Sequence, residues 1–256
     1  MIRAVFFDID GTLLSHRLGA VPEETAAAVL RLKDRGVGVF AATGRHMLEL
    51  ARLPLGHIPF DGYVTLNGQL CLDGAGRVLW GTPFSPEAAR ALEEAFRAQT
   101  LPLMLVEEGR LYLNTADDAV REAQRTISTP VPELGAYGGA PLYSAVAFAD
   151  RARVEALAAK LPGCAVTSWH ARAFDLIPAG GGKAEGIRHM LERLGLAPED
   201  IAAFGDEEND GDMLRYAGVG VAMGSAPAEV RALADLVTED VEANGVARGL
   251  ERLGLL

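Results

Sequence analysis

Cysteine is nearly absent from this chain. There are two in 256 residues, Cys71 and Cys164, far apart and without CxxC spacing. That excludes a disulfide framework or a cysteine-rich metal site as the organising feature, and it fits reduced thiols in a cytoplasm. Lysine is scarce as well. Of the 24 basic residues only Lys33, Lys160 and Lys183 are lysines, so a lysine beside a motif carries information. Positive charge is outweighed: the net charge is −11 and the pI near 5.0. This argues against a nucleic-acid or anionic-membrane surface. It does not argue against a small phosphate ligand, which needs only local positive charge. No apolar run approaches the ~20 residues of a membrane-spanning helix. A signal-peptide layout is missing too, because Asp8 and Asp10 interrupt the first apolar run at once. The expected location is the cytoplasm.

What is present begins with that first run. Ile2 to Phe7 is apolar except for Arg3, and it stops at Asp8-Ile9-Asp10-Gly11-Thr12. A short apolar run ended this way predicts a buried strand whose tip carries two carboxylates. Pro22 to Arg35 predicts a helix, with acids in its first turn and Gly36 as a stop. Val37–Ala41 predicts a second strand ending in Thr43-Gly44-Arg45, residues 45–52 a helix, and Tyr63–Leu66 a third strand before an Asn67-Gly68 turn. This β-α-β-α-β order predicts a parallel, doubly wound sheet. From residue 69 hairpin patterns alternate with helices, predicting an α+β domain inserted between about Thr82 and Pro178, with Gly135 to Pro141 as its mobile loop. The α/β pattern then returns. Lys183–Leu194 has helical spacing, Ile201–Phe204 predicts a strand ending in Gly205-Asp206, and residues 209–216 predict a helix. The expected architecture is therefore an α/β core from 1–82 and 179–256, Rossmann-like and doubly wound, with an α+β domain at 83–178.

In a parallel sheet the chemistry-bearing residues share one edge, the crevice outside the carboxyl ends of the strands. They are Asp8 and Asp10, Thr43, Lys183, and Asp206 with Asp210. Several carboxylates near one point repel unless a cation sits among them, and a few hard oxygen ligands suit Mg²⁺. A lysine, a hydroxyl and glycine-flanked backbone N–H groups would cradle a phosphoryl group. Asp8, which ends the rigid strand, is the candidate nucleophile. Asp10 is the candidate acid/base. Alternate residues of a strand share a face, so both carboxylates reach one phosphoryl group if strand geometry persists through Asp10.

Asp8-Ile9-Asp10-Gly11-Thr12-Leu13-Leu14, Ala42-Thr43-Gly44-Arg45, Lys183 and Gly205-Asp206-Glu207-Glu208-Asn209-Asp210 resemble, in order, the four motifs of the haloacid dehalogenase (HAD) superfamily. Their wording is closest to its Cof-type phosphatases. Leu66-Asn67-Gly68 and Val221-Ala222-Met223-Gly224 are secondary matches, and Ser225 stands where the family has Asn. The resemblance implies a phosphatase acting on a small phosphorylated metabolite, such as a sugar phosphate or a phosphorylated cofactor, through an aspartyl-phosphate. It implies Asp8 as nucleophile and Asp10 as acid/base. Gly11, Thr43, Gly44, Lys183 and Asn209 would bind phosphate. Mg²⁺ would be held by the Asp8 carboxylate, the Asp10 carbonyl and Asp206, with Asp210 in its water shell. The insertion between Thr43 and Lys183 implies a cap of the second class (IIB).

Other residues are less determined. Arg45 fits either a contact on the substrate side or a pairing with an acid. His46 reads as a first-turn helix residue. His16, His57, His170 and His189 show no metal spacing and read as structural or exposed. Trp169 and Arg172 are candidates for choosing the leaving group, against the plainer reading of an ordinary turn. A phosphomutase sharing this core would return the phosphoryl group to substrate. A phospho-acceptor signalling module also pairs Asp, Mg²⁺, a hydroxyl and Lys, but it lacks a second Asp two residues on. Dehalogenation is disfavoured, since it needs neither Mg²⁺ nor Asp10. The chain is expected to work as a monomer or homodimer.

Overall fold

The computed structural model describes residues 1–55 and 58–256, and it divides into two compact units, Met1–Trp80 with Gly182–Leu256 and Gly81–Gly181. The first unit opens with β1 (Ala4–Phe7), α1 (Glu23–Asp34), β2 (Gly38–Ala42), α2 (Met47–Leu50), β3 (Gly62–Thr65), β4 (Leu70–Asp73) and β5 (Val78–Gly81). All four residues of β1 are buried, as a strand covered on both faces requires. In α1 the buried Thr25, Ala28, Val29 and Leu32 fall at i, i+3, i+4 and i+7, one stripe laid against the sheet. The helix predicted over 45–52 is shorter, because His46 caps it: its ring Nδ1 accepts the Leu48 N–H and its own N–H donates to Glu49.

The second unit contains α3 (Pro86–Ala98), β6 (Leu103–Val106), β7 (Leu111–Leu113), α4 (Asp118–Thr126), β8 (Ser144–Ala147), α5 (Arg151–Ala158), β9 (Cys164–His170) and β10 (Ala173–Pro178). Its five strands lie in the order β7-β6-β8-β10-β9, every pairing antiparallel. Leu92 and Phe96 of α3 and Val154 and Leu157 of α5 share a core with Leu103, Leu105, Ala145, Ala147, Phe174 and Leu176 of the sheet. The loop predicted to be mobile is tied at its start and braced within itself. Gly135 donates to the Leu113 carbonyl at 2.9 Å, and the Tyr137 hydroxyl donates to the Ala140 carbonyl at 2.9 Å.

The chain returns to the first unit with α6 (Lys183–Leu194), β11 (Ile201–Gly205), α7 (Gly211–Tyr216), β12 (Val219–Ala222), α8 (Ala228–Arg231), β13 (Leu236–Val237) and α9 (Gly245–Arg252). The helix predicted from 209 starts instead as a 3-10 turn, Glu208–Asp210. The sheet order is β13-β12-β11-β1-β2-β3-β4-β5. The six strands from β13 to β3 pair in parallel and β4 runs against β3. Alternation along β1 sorts the core: Val5 and Phe7 pack with α1 and α9, Ala4 and Phe6 with α6 and α7. Register then places the site. Phe7 lies level with Ala41 and with Phe204, so Asp8, Thr43 and Asp206 all emerge at one end of the sheet.

One turn at that end is conformationally costly. Leu66, Asn67 and Gly68 all have positive φ, at 53°, 53° and 89°. A Cβ on Gly68 would lie 1.8 Å from the backbone oxygen of Gly182. Gly68→Ala is therefore expected to destabilise the protein by about 3 kcal/mol or more. The check is urea unfolding, with a lowered midpoint at unchanged m-value; a wild-type midpoint contradicts the packing described.

Candidate active site

Asp8 continues β1 by one ladder bond, its N–H donating to the Phe204 carbonyl at 2.9 Å. Strand β1 ends there; Ile9 and residues 11–13 turn, and Asp10 makes only an isolated parallel bridge with Leu14. Lys183, at the first position of α6, has no exposed surface. Its ammonium donates to Asp8 Oδ1 at 2.6 Å and to Asp210 Oδ1 at 2.5 Å. The other Asp210 oxygen accepts the backbone N–H groups of Asp206 and Glu207, both at 2.9 Å. Asp206 takes the Thr12 hydroxyl on Oδ1 at 2.8 Å. Its Oδ2 lies where a side chain on residue 11 would be: a Cβ on Gly11 would come within 2.2 Å of it, and Gly11 has φ +81°. Glycine is required there for both reasons.

Asp8, Asp206 and Asp210 each offer an oxygen within 4.8 Å of the others, all three buried. One ammonium faces three carboxylates. Burial raises the Asp8 carboxyl most; Lys183 opposes this, and repulsion from Asp210 and Asp10 adds to it, giving about 8. Burial, then Asp8 and Asp210, push Asp206 up to about 9 despite the Thr12 bond. Burial opposes the charge on Lys183, but its two acids prevail and raise its affinity for the proton. A buried set of hard oxygens that resists ionisation for want of positive charge fits a divalent cation. Asp210 already has both oxygens engaged, whereas Asp8 and Asp206 each keep one oxygen without a hydrogen-bond partner among the described residues.

Asp10 is not part of this cluster, and strand geometry, the condition for both carboxylates to reach one phosphoryl group, does not persist to it. Arg45 grips it through both oxygens, Nε to Oδ2 at 2.6 Å and a terminal nitrogen to Oδ1 at 2.7 Å. His16 Nε2 lies 2.7 Å from Oδ1. Burial works against the charge, but the hydrogen bonds and charges of Arg45 and His16 outweigh it and hold the carboxyl down at about 2. Of the two readings of Arg45, the pairing with an acid is the one present. His16 shows no metal spacing in the sequence, and only the fold brings it to Asp10.

The remaining core residues meet at the Leu66–Gln69 turn. The Thr43 hydroxyl accepts the Arg45 N–H at 3.1 Å, leaving its hydrogen to donate. The Thr43 carbonyl accepts the Asn67 N–H at 3.1 Å, and Asn209 donates its amide to Asn67 Oδ1 at 2.9 Å. Ile9 and Asp10 have N–H groups that donate to no backbone carbonyl among the described residues. In the second unit Trp169 donates its indole N–H to Asp175 across β9 and β10 at 3.0 Å. Arg172 occupies the turn between those strands, its N–H donating to His170 Nδ1 at 3.2 Å. His189 stacks on Trp80 with centroids 3.7 Å apart. His57 lies outside the described residues.

The family model of the haloacid dehalogenase-like hydrolases matches residues 5–250. The chain belongs to this family. The hydrolase is 34% identical to YkrA of Bacillus subtilis, provisionally named a phosphatase, over 99% of this chain and 98% of that one. It is 31% identical to the HMP-PP phosphatase of Cronobacter sakazakii, covering 88% and 85% of the two chains. Among solved structures, the sugar phosphatase BT4131 of HAD subclass IIB superposes with a TM-score of 0.89 at 27% identity, over 99% of this chain and 100% of that one.

Proton linkage gives a test of the acid cluster. Asp8 and Asp206 bind protons more tightly folded than unfolded. Their contribution to stability is therefore complete below the usual carboxylate range, about 4, and is lost as pH rises through about 8 and 9. The hydrolase without added metal is expected to melt lower at pH 9 than at pH 6. Mg²⁺ should restore more of the melting temperature at pH 9. Calorimetry in buffers of different ionisation enthalpy should show protons released on Mg²⁺ binding at pH 6.5 and fewer at pH 9.5. A melting temperature indifferent to Mg²⁺ at both pH values would refute the cation site.

Proposed function

We propose that this hydrolase is a Mg²⁺-dependent phosphatase of small organophosphates, sugar phosphates or phosphorylated cofactors, working through an aspartyl-phosphate on Asp8. The observation that carries this is the buried Lys183 bridge between Asp8 and Asp210, with Asp206 beside it. It sets a carboxylate at a rigid strand end, next to the Lys183 ammonium and with one oxygen that has no hydrogen-bond partner among the described residues. Asp8, Asp206 and the Asp10 carbonyl would hold Mg²⁺, with Asp210 in its water shell. When bound, the ion neutralises charge on the phosphoryl oxygens and on the acids around it. The names of the relatives, an HMP-PP phosphatase and a sugar phosphatase, support the substrate class.

In the first step an Asp8 oxygen bonds to phosphorus and the bond to the leaving oxygen breaks. Asp10 supplies a proton to that oxygen. In the second step water attacks the aspartyl-phosphate, Asp10 takes the water's proton, and the Asp8 carboxylate is regenerated. Lys183, the Thr43 hydroxyl, the Asn209 amide and the N–H groups of Ile9, Asp10 and Gly44 bind the phosphoryl oxygens, whereas the Gly11 N–H is already given to the Leu14 carbonyl at 3.0 Å; catalysis is then mainly positioning and charge neutralisation. With Arg45 and His16 engaged, Asp10 is in its proton-accepting form. Donation in the first step therefore requires Arg45 to let go and Asp10 to take up a proton from solvent, and an incoming phosphate dianion is a competing partner for the Arg45 guanidinium. A cap role for residues 83–178, with leaving-group selection by Trp169 and Arg172, is part of the same proposal. So are a cytoplasmic location and a monomeric or homodimeric state. No described helix is long and apolar enough to cross a membrane.

Asp8→Asn is expected to lower phosphate release by about 10³-fold or more, and EDTA to abolish release until Mg²⁺ is returned. Phosphate release retained by Asp8→Asn removes the nucleophile assignment. Across a panel of phosphorylated metabolites, Trp169→Ala and Arg172→Ala are expected to reorder kcat/KM values; an unchanged ranking assigns them to an ordinary turn.

A further inference from the structure

The turn from Leu66 to Gln69 touches Thr43, Gly44 and Asn209, three of the residues assigned to phosphate, yet the assignments above leave its own side chain without a role. Asn67 is buried, with 2% of its surface exposed. Its N–H donates to the Thr43 carbonyl at 3.1 Å, and its Oδ1 accepts from Asn209 Nδ2 at 2.9 Å. Its amide occupies the space a side chain at residue 44 would need, since a Cβ on Gly44 would lie 3.1 Å from Oδ1 and 3.3 Å from Nδ2. The next residue, Gly68, presses on the start of the Lys183 helix: a Cβ there would lie 1.8 Å from the Gly182 oxygen and 3.2 Å from the Gly186 nitrogen. Thr43 follows β2, Lys183 starts α6 and Asn209 sits in the 3-10 turn after β11. One turn therefore joins three segments that are distant in sequence.

The backbone alone does not explain an asparagine. Its φ of 53° is served as well or better by glycine, which adopts positive φ freely. What asparagine adds is the amide, whose Oδ1 accepts from Asn209. One N–H of the Asn209 amide is thereby fixed, and the direction of the other, the phosphate donor, is fixed with it. We propose that Asn67 is a positioning residue for the phosphate-binding site, orienting the Asn209 amide against the Thr43–Gly44 backbone without touching substrate. This rests on the reading of Thr43 and Asn209 as phosphate ligands.

The test compares wild type, Asn67→Gly, Asn209→Ala and the double variant. Three quantities are read: melting temperature, kcat/KM on a responsive phosphomonoester, and affinity for inorganic phosphate with Mg²⁺ present, by calorimetry. Asn67→Gly is expected to keep the melting temperature within a few degrees, because the turn is retained. It should weaken phosphate binding and lower kcat/KM, each by about 10–100-fold, as misplacement of a binding group does. In the Asn209→Ala background the same substitution is expected to change either quantity by less than about 3-fold, because the two residues act as one unit. Wild-type values in Asn67→Gly overturn the proposal. An equal loss with and without Asn209 overturns it too, since the turn would then act by another route. Should Asn67→Gly fail to fold, Asn67→Ser, whose side chain is too short for this contact, carries the same comparison with the same expected coupling. Wild-type protein that binds phosphate but hydrolyses nothing refutes the hydrolase reading alone, and phosphate affinity then decides on Asn67. Wild-type protein that binds no phosphate refutes both.

Discussion

The site depends on one ammonium with no exposed surface, Lys183, held between Asp8 and Asp210. Its partners lie 175 and 27 residues away in sequence, so the bridge forms only once β1, the start of α6 and the turn after β11 are all in place. A buried ion pair is a poor source of net stability, because desolvation offsets most of the attraction, but losing one partner is expensive, typically about 3–5 kcal/mol. The bridge is therefore better understood as a constraint on geometry than as a stabilising contact. It also leaves the cluster under-neutralised. One positive charge cannot satisfy Asp8, Asp206 and Asp210 together, and that deficit makes the site receptive to a cation.

The fold supplies the convergence. Parallel pairing of β1 with β2 and β11 aligns Phe7, Ala41 and Phe204, so the polar residues that follow each strand meet at one end. The strands themselves are apolar and closely packed, with Phe6 stacked on Phe40 at 4.8 Å and Phe7 against Phe204 at 5.2 Å. Such a scaffold holds its loop residues to a small positional error, which suits a reaction whose barrier falls mainly through alignment.

Much of this could be read from the sequence, for a specific reason. An apolar run that stops at acids or at Thr-Gly is a one-dimensional signal. Several such runs alternating with helices determine a parallel sheet, and the sheet brings their ends together. Lys183–Leu194 has the same limits in the structure as in the helical spacing. What could not be read was set by contacts across the chain. The i, i+2 spacing of Asp8 and Asp10 implied a shared face. The chain instead turns after Asp8, and Arg45 and His16 take the Asp10 carboxylate. The one-turn α2 reflects a cap on His46 that helical periodicity does not report. Asn67 looked like a turn residue because Asn-Gly signals turns; its bond to Asn209, 142 residues on, leaves no local trace.

Two carboxylates two residues apart thus acquire opposite proton affinities from their surroundings. Burial among other acids pushes Asp8 up to about 8, whereas Arg45 and His16 overcome burial and hold Asp10 at about 2. Groups driven apart in this way are the usual sign of divided acid and base roles. Here each shift also identifies what its residue lacks. Asp8 needs positive charge to become a free nucleophile, and a cation beside Asp206 would provide it. Asp10 has an excess of positive charge and must lose some before it can carry a proton to a leaving group. On the proposed reading, a phosphate dianion arriving at Thr43 and Lys183 would compete for the guanidinium that holds Asp10, and the substrate's own charge would then change Asp10 from base to acid, although only Ile9 stands between the two acids in sequence.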